Sequence, residues 1–340
     1  MERYADELER ALVQMGCAAR AYVAARPLPQ LRGALNTVAN YAWRSTIYLL
    51  AARSQQGDVN HIVDHSYAHL IHALDARRTV VTCHDLAPLA LNEGHGIGRR
   101  LWDYSFRTMQ RAARIITDSE FTRAEILRHS DYPAARITVV PLAVGAEFFE
   151  PVTDADVRAL RERFHLQERR VILHVGSCAP RKNIELIFRA LDQLRDLDAL
   201  LVQVGGRFTQ TQLALIESLG LRAVQTAPVF GYALRVWYHT ADVFVFPSIY
   251  EGFGIPVIEA MACGVPVICA NASALPEVAG DAAILIDPRE PAPLAEAIRS
   301  VLDDATLAAD LRERGSARAH QFTWERTARA SWAVYHKVAQ

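Results

Sequence analysis

The chain has 340 residues, of which 51% are hydrophobic and 22% are charged, and its formal net charge is −1. This composition is typical of a globular enzyme with two domains of ordinary size, and it excludes a disordered chain. The balanced charge gives no general attraction to nucleic acid, and no run approaches the ~20 apolar residues that a membrane-spanning helix needs.

The amino-terminal elements are recognised from their apolar spacing. Residues 4–15 predict a helix, residues 21–29 a strand or a proline-bounded connection, and residues 41–52 a second helix. Residues 58–64 predict a short strand, which we expect to end in a loop at 64–67.

Four histidines lie in or just after this short strand, at His61, His65, His69 and His72. The last three fit one face of a helix, which is a spacing that a metal site could use. No acidic general base accompanies them, however, and the predicted strand separates His61 from the others. We therefore favour loop or surface histidines over a metal site, with His65 as a candidate ligand contact.

An apolar strand over residues 79–83 is followed directly by His84 and Asp85. Ligands of doubly wound sheets bind at the carboxyl ends of the strands, so both side chains are candidates for a site. One interpretation is a hydrogen-bonded histidine with a purely structural role at a strand end. The other is a ligand contact by His84, with Asp85 holding the second ring nitrogen.

Residues 99–114 form a basic amphipathic segment whose arginines are Arg99, Arg100, Arg107, Arg111 and Arg114. A helix of this kind can lie on an anionic membrane or meet a polar acceptor. We favour the other interpretation, a solvated helix face with its apolar side in the core.

The strand after Arg114 leads into a helix start at Ser119 and Glu120. Ser119 is a suitable N-cap residue, and both side chains are candidate ligand contacts. Residues 137–141 are the last strand predicted for the first domain.

A buried strand over residues 171–175 opens the second half and is followed by Gly176, Arg181 and Lys182 at the start of a helix. Positive charge in a glycine-opened turn at a helix N-terminus suits a pyrophosphate. The alternative is an ordinary helix start with two solvated cations. The P-loop spacing of glycines and lysine is missing.

A second turn has the sequence Glu-Gly-Phe-Gly-Ile-Pro-Val-Ile-Glu from Glu251 to Glu259. It follows a predicted strand over 241–246 and opens a helix over about 256–263. Gly252 and Gly254 allow backbone N–H groups to approach an anion at the helix N-terminus. Carboxylates repel phosphate, so we expect the two glutamates to bind hydroxyl groups on either side of it.

These paired glutamates, seven residues apart, resemble the signature of the retaining glycosyltransferases of family 4, which have the GT-B fold. The likeness is specific over residues 171–287 and looser elsewhere. It implies two doubly wound parallel-sheet domains that face a cleft. It also implies a nucleotide-diphosphate sugar as co-substrate, GDP- or UDP-linked, and no further cofactor or metal.

The resemblance assigns roles residue by residue. His84, Glu251, Arg181 and Lys182 are the implied catalytic residues. The candidate contacts to the acceptor or the sugar are His65, Asp85, Ser119 and Glu120. The sugar donor and its nucleotide are implied to contact Gly176, Arg181, Lys182, Phe230, Leu234, Glu251, Gly252, Phe253, Gly254, Ile255 and Glu259. Within that set, Glu259 binds the ribose, Glu251 the sugar, and Phe230 and Leu234 the base. Core packing is the alternative for these last two residues.

The implied domains are residues 1–148, joined by a returning helix at about 322–340, and residues 149–321. Family members begin with a strand and a glycine loop before a helix like residues 4–12, so either the start is placed late or that strand is absent.

The implied activity is transfer of a hexose, with a mannosyl donor favoured, to a glycan or lipid-linked acceptor. Alternatives are a nucleotide-sugar epimerase, a phosphorylase-like enzyme and a non-catalytic nucleotide-binding protein.

The five cysteines lack paired spacing and no signal peptide is recognisable. Both observations predict that the protein lies in the reducing cytoplasm, with peripheral membrane contact as an option.

Overall fold

A computed structural model describes residues 2–22, 46–91 and 96–340. The chain divides into two compact units. The first comprises Met1–Leu142 with Trp324–Gln340, and the second comprises Ala143–Thr323. Most of the strand or connection predicted at 21–29, and the first half of the helix predicted at 41–52, lie outside the described residues.

Within its described residues, the first unit contains a parallel sheet in the order β1-β2-β3-β4. The strands are β1 (Asn60–Ile62), β2 (Thr79–Cys83), β3 (Arg114–Thr117) and β4 (Ile137–Val139). The strand predicted at 79–83 is confirmed at both ends. Every residue of β2 is buried, as expected of an inner strand of a parallel sheet that is covered on both faces.

Alternate residues of β2 enter two different cores, because side chains along a strand alternate between its faces. Val81 packs with Met109, Ile115 and Ile126 on one side. Val80 packs with residues that include Val334 of the C-terminal helix, Trp324–Ala339.

Besides the C-terminal helix, five α-helices of the first unit are described, before and between these strands. They are α1 (Glu2–Gln14), α2 (Ile47–Arg53), α3 (Ala87–Ala90), α4 (Gly96–Met109) and α5 (Glu120–His129). The prediction of a loop at 64–67 is wrong, because a 3-10 helix over His65–His72 begins there. The Asp64 side chain accepts a hydrogen bond from the backbone N–H of Ser66, which starts that helix.

The second unit contains a parallel sheet in the order β10-β9-β8-β5-β6-β7. The strands are β5 (Arg170–Gly176), β6 (Ala199–Gly205), β7 (Ala223–Thr226), β8 (Val243–Phe246), β9 (Val267–Ala270) and β10 (Ile284–Ile286). The strand order reverses between β5 and β8, where Ile172 pairs with Val243. Ligands of open α/β sheets bind at such a switch point, beyond the carboxyl ends of the strands.

The helices of the second unit alternate with its strands. They are α6 (Asp154–Arg163), α7 (Ile184–Asp192), α8 (Gln210–Ser218), α9 (Tyr232–Thr240), α10 (Ile255–Ala262), α11 (Leu275–Ala279), α12 (Pro291–Asp303) and α13 (Ala305–Ala319). The two parallel α/β sheets confirm the predicted fold class. Among the described residues, no helix combines the length and the apolar character needed to cross a membrane.

Candidate active site

Two cations and one carboxylate meet at the switch point of the second sheet. Arg181 and Lys182 follow β5, whereas Glu251 follows the neighbouring strand β8. Lys182 Nζ lies 2.6 Å from Glu251 Oε1, and Arg181 Nη1 lies 3.3 Å from Glu251 Oε2. The cluster carries two positive charges and one negative charge, so a net positive charge remains in a largely buried place.

The chain leaves this cluster through a residue in the left-handed backbone conformation. Asn183 has a φ of 55°, and its side-chain amide donates hydrogen bonds to the carbonyl oxygens of Pro247 at 3.3 Å and Pro288 at 2.7 Å. Asparagine tolerates this left-handed conformation better than most residues. Its amide therefore ties the turn after β5 to the turn after β8, which keeps Arg181 and Lys182 beside Glu251.

Lys182 is surrounded by side chains that its neighbours in the sequence do not predict. It is 7% exposed, and its ammonium lies 4.6 Å from the centre of the Phe246 ring, a cation–π distance. His174, on β5, stacks on the same ring. Burial and the Lys182 charge lower the pKa of His174 to about 3, so this histidine is neutral beneath the ammonium.

The glycine turn before α10 requires glycine for two reasons. Gly254 has a φ of 115°, a region that side chains other than glycine avoid. A Cβ added there would also lie 2.7 Å from Leu275 Cδ2. Helix α10 begins at Ile255, one residue before the start predicted for it.

Glu251 is fixed through its backbone as well as its side chain. Its N–H donates to Ser273 Oγ at 2.9 Å, and Ser273 itself has a φ of 54°. Sequence reasoning missed this serine. Only its place in an Asn-Ala-Ser-Ala turn after β9 could have suggested it.

Glu259 lies on α10 and contacts a different partner. Tyr238, on α9, donates its hydroxyl hydrogen to Glu259 Oε2 at 2.9 Å. Burial and the Glu259 charge raise the pKa of Tyr238 well above its usual range, so the phenol keeps its proton. Glu259 is thus already placed to accept a hydroxyl hydrogen.

The remaining residues predicted to bind the sugar donor differ in exposure. Phe230 is 77% exposed and precedes α9, whereas Leu234 is buried within that helix. Gly176 ends β5, and a Cβ added there would lie 3.8 Å from Lys182 Nζ, so this glycine adjoins the cationic cluster. Phe253 is buried against Phe322.

His84 lies at the carboxyl end of β2, as predicted, but the prediction that Asp85 holds its ring is wrong. Its Nδ1 is 2.7 Å from Asp118 Oδ2, and its Nε2 is 2.8 Å from the Val63 carbonyl oxygen. Asp85 does not hold the ring, because its carboxylate accepts from the Ala87 N–H at the start of α3. Asp118 follows β3 and reaches His84 because β2 and β3 are paired.

The other histidines of the first unit have separate environments. The ring nitrogens of His61 contact Tyr335 Oη at 2.6 Å and Thr82 Oγ1 at 2.7 Å. His65 is buried beside the Trp102 ring. Within the described residues, no three His, Cys, Asp or Glu side chains are grouped as metal ligands.

Ser119 is confirmed as the N-cap of α5, because its Oγ accepts from the Thr122 N–H. Glu120 is exposed and pairs with Arg123. The basic segment is helical over Gly96–Met109, and Arg99 bonds Asp103 on the same helix.

Family profiles match both halves of the chain. "Glycosyltransferase Family 4" matches residues 1–148, and "Glycosyl transferases group 1" matches residues 156–318. O-antigen chain mannosyltransferase B of Escherichia coli is 33% identical over 269 residues, covering 76% of this chain and 69% of that protein. The serotype-specific mannosyltransferase WbdA of E. coli is 29% identical over 277 residues, and the match spans 77% of this chain but only 34% of WbdA.

Solved structures with low sequence identity share the fold. Sucrose-phosphate synthase from Thermosynechococcus elongatus has a TM-score of 0.76 at 22% identity, with 98% of this chain and 92% of that chain covered. Anabaena HepE in complex with UDP and glucose has a TM-score of 0.76 at 20% identity, with 90% and 83% covered.

The two parallel α/β sheets and these matches define a glycosyltransferase with the GT-B fold. Within that class, the chain belongs to glycosyltransferase family 4, the group 1 glycosyl transferases.

Proposed function

We propose that this glycosyltransferase moves a hexosyl group, with mannosyl favoured, from a nucleoside-diphosphate sugar to a glycan or lipid-linked acceptor in polysaccharide biosynthesis. The observation that carries the proposal is the cluster of Arg181, Lys182 and Glu251 at the switch point of the second sheet. The transfer retains the anomeric configuration, in keeping with the glutamate pair Glu251 and Glu259.

Arg181 and Lys182 neutralise the charge that grows on the leaving diphosphate. Positive groups that are already in place cost no reorganisation as the bond breaks, so they lower the barrier as well as tightening binding. The N-terminus of α10 directs the positive end of its dipole at the same turn.

Glu251 changes partner when the sugar donor binds. Its carboxylate now pairs with both cations, in the manner of an anion such as diphosphate. A diphosphate brings more negative charge and displaces it, which releases the carboxylate to accept hydrogen bonds from sugar hydroxyls. Glu259 accepts from ribose hydroxyls in place of, or beside, Tyr238.

The remaining contacts follow from the family. Phe230 and Leu234 flank the nucleobase, which is that of a GDP- or UDP-sugar. The complex of HepE with UDP supports a nucleotide donor. The names of the O-antigen mannosyltransferases support a mannosyl group and a polysaccharide product. His84 contacts the transferred sugar.

The proposed chemistry uses no metal or further cofactor, because two fixed cations and a helix N-terminus supply the positive charge that a metal would provide. The setting is the cytoplasm, and all five cysteines are free thiols, as that compartment requires.

A ligand panel tests the assignment. Nucleoside diphosphates and their sugars are screened by thermal shift, because a ligand that binds the folded state raises its apparent stability. GDP or UDP, with the matching sugar, is expected to give the largest shift with no added metal. The same thermal shift should be seen in excess EDTA if binding of the sugar donor needs no metal, and its loss would contradict that part of the proposal.

Product analysis then fixes the reaction. Transfer releases free nucleoside diphosphate, and NMR of the new linkage reports its anomeric configuration. Conversion of one nucleotide sugar into another without release would establish an epimerase instead. Binding without any turnover across an acceptor panel would favour the non-catalytic alternative.

A further inference from the structure

Three neighbouring strands of the first sheet each end in titratable residues. Asp64 and His65 follow β1, His84 and Asp85 follow β2, and Asp118 follows β3. Only His84 has a role in the proposed function. Asp118 is not among the predicted site residues, yet it is 1% exposed, and a carboxylate is rarely buried without a compensating partner.

The compensating partner is His84. Asp118 Oδ2 lies 2.7 Å from His84 Nδ1, while its other oxygen, Oδ1, is buried with no hydrogen-bond partner among the described residues. Removing a carboxylate from water destabilises the folded state unless a partner compensates for the lost hydration. The His84 imidazole is the partner that the described part of the chain gives it.

The hydrogen bonds also define where the protons are. The Val63 carbonyl oxygen can only accept, so His84 Nε2, at 2.8 Å, must carry a hydrogen. A neutral imidazole would then leave Nδ1 without a hydrogen, facing a carboxylate that is also an acceptor. One additional proton between Nδ1 and Oδ2 removes this conflict.

We propose that Asp118 is a positioning residue that holds His84 as a charged imidazolium, with one N–H committed to Asp118 and the other to the Val63 carbonyl. The ring is thereby fixed in orientation and charge at the strand ends. His84 acts as a constant cation at its sugar contact, and it is not a neutral base that gains and loses a proton during turnover.

The surrounding charges act on both partners. Burial raises the pKa of Asp118, the His84 charge and hydrogen bond oppose that rise, and the Asp85 charge adds to it. Burial lowers the pKa of His84, but the Asp118 charge and hydrogen bond, the Val63 carbonyl and the Asp64 charge together raise it to about 9. Tyr4, from α1, packs edge-on against the ring and stays a neutral phenol, because burial and the Asp118 charge raise its pKa above its usual range.

The nearby histidines remain neutral, so they do not compete for the proton. Burial and the His84 charge lower the pKa of His61 to about 3. Burial also lowers the pKa of His65, with Asp64 and Asp85 opposing that change. Within this group His84 alone is stabilised in its charged form.

Titration of His84 in the wild-type protein is the first test. Side-chain ¹⁵N and ¹³C NMR, with the His84 signals assigned by their loss in His84→Gln, should show both ring nitrogens protonated through pH 8. Loss of a ring proton between pH 5 and 7 would overturn the proposal. The measurement needs no turnover, so it stands even if the proposed transfer reaction fails.

The second test compares Asp118→Asn with Asp131→Asn, a control at an exposed position in the same unit. In Asp118→Asn the His84 pKa should fall to its ordinary value of about 6.5 or below. Turnover of that variant should then drop at least about tenfold between pH 5.5 and 7.5, because the charged fraction drops by that factor. Turnover of the wild type and of Asp131→Asn should stay constant over the same pH range.

The inference rests on the proposed function only for the link to turnover. A purely structural role for Asp118 would lower kcat equally at every pH and leave the His84 titration unchanged. That result, with Asp118→Asn folded by circular dichroism, would contradict the positioning role.

Discussion

Lys182 Nζ donates to Glu251 Oε1 across 2.6 Å, although 69 residues separate the two in the chain. The contact exists because β5 and β8 are neighbours in the sheet while β6 and β7 lie between them in sequence. Each residue follows its own strand, so the reversal of strand order brings lysine and glutamate to one place. Ligand chemistry in a doubly wound sheet is expected at such a point.

Removal of the Lys182 ammonium should impair chemistry far more than folding. We expect Lys182→Ala to lower kcat by about 10²–10³-fold, the usual effect of losing one fixed group that stabilises transition-state charge. The control is Lys337→Ala, at the other lysine of the chain, which is exposed on the C-terminal helix. Steady-state kinetics give kcat for both variants. Equal values would show that Lys182 has no role in the reaction.

Ser273 should act on turnover through the backbone of Glu251. Both Ser273→Ala and Ser273→Gly remove the oxygen that accepts the Glu251 N–H, and we expect each to lower kcat about tenfold. Glycine also relaxes the φ of 54°, so Ser273→Gly should be about 1 kcal/mol more stable than Ser273→Ala. Denaturant melts together with kinetics separate the two effects. Full activity in either variant would show that the serine serves the fold alone.

Gly220 is a control for the effect of a left-handed backbone, because its φ is 59°, whereas Gly254 combines a φ of 115° with a close contact. Both have positive φ, but a Cβ at Gly220 meets nothing within 4 Å, whereas one at Gly254 meets Leu275 at 2.7 Å. Gly220→Ala should cost about 1 kcal/mol, the penalty for the backbone conformation. Gly254→Ala should lower the free energy of unfolding by more than this, and it should also weaken the binding of nucleoside diphosphate. Similar losses of stability and unchanged binding in both variants would contradict the close-approach argument.

His174 should make stability depend on pH in the acid range. Its pKa is about 3 in the folded protein and about 6.5 in the unfolded chain, so below pH 6.5 the unfolded state binds the extra proton. The free energy of unfolding is therefore highest above pH 6.5, where the residue is neutral in both states, and it falls as pH is lowered toward 3, at roughly 1.4 kcal/mol per pH unit. His174→Gln should flatten this slope in urea melts taken between pH 6.5 and 4.5. An unchanged slope would mean that other groups cause it.

The sequence determined the elements and the residue types of the site. Apolar runs such as residues 79–83 predicted the strand because burial on both faces leaves a local composition signal. The glycines, the two cations and the two glutamates were likewise recognised, because anion binding at a helix start needs those residue types close together in sequence.

Only the tertiary structure decided which side chains are partners. Asp85 adjoins His84 in sequence but bonds Ala87, while Asp118, 34 residues away, holds the ring. Phe246 likewise meets Lys182 only because β5 and β8 are paired. Strand pairing is set by packing over the whole sheet, so contacts between the ends of different strands leave no local pattern in the sequence.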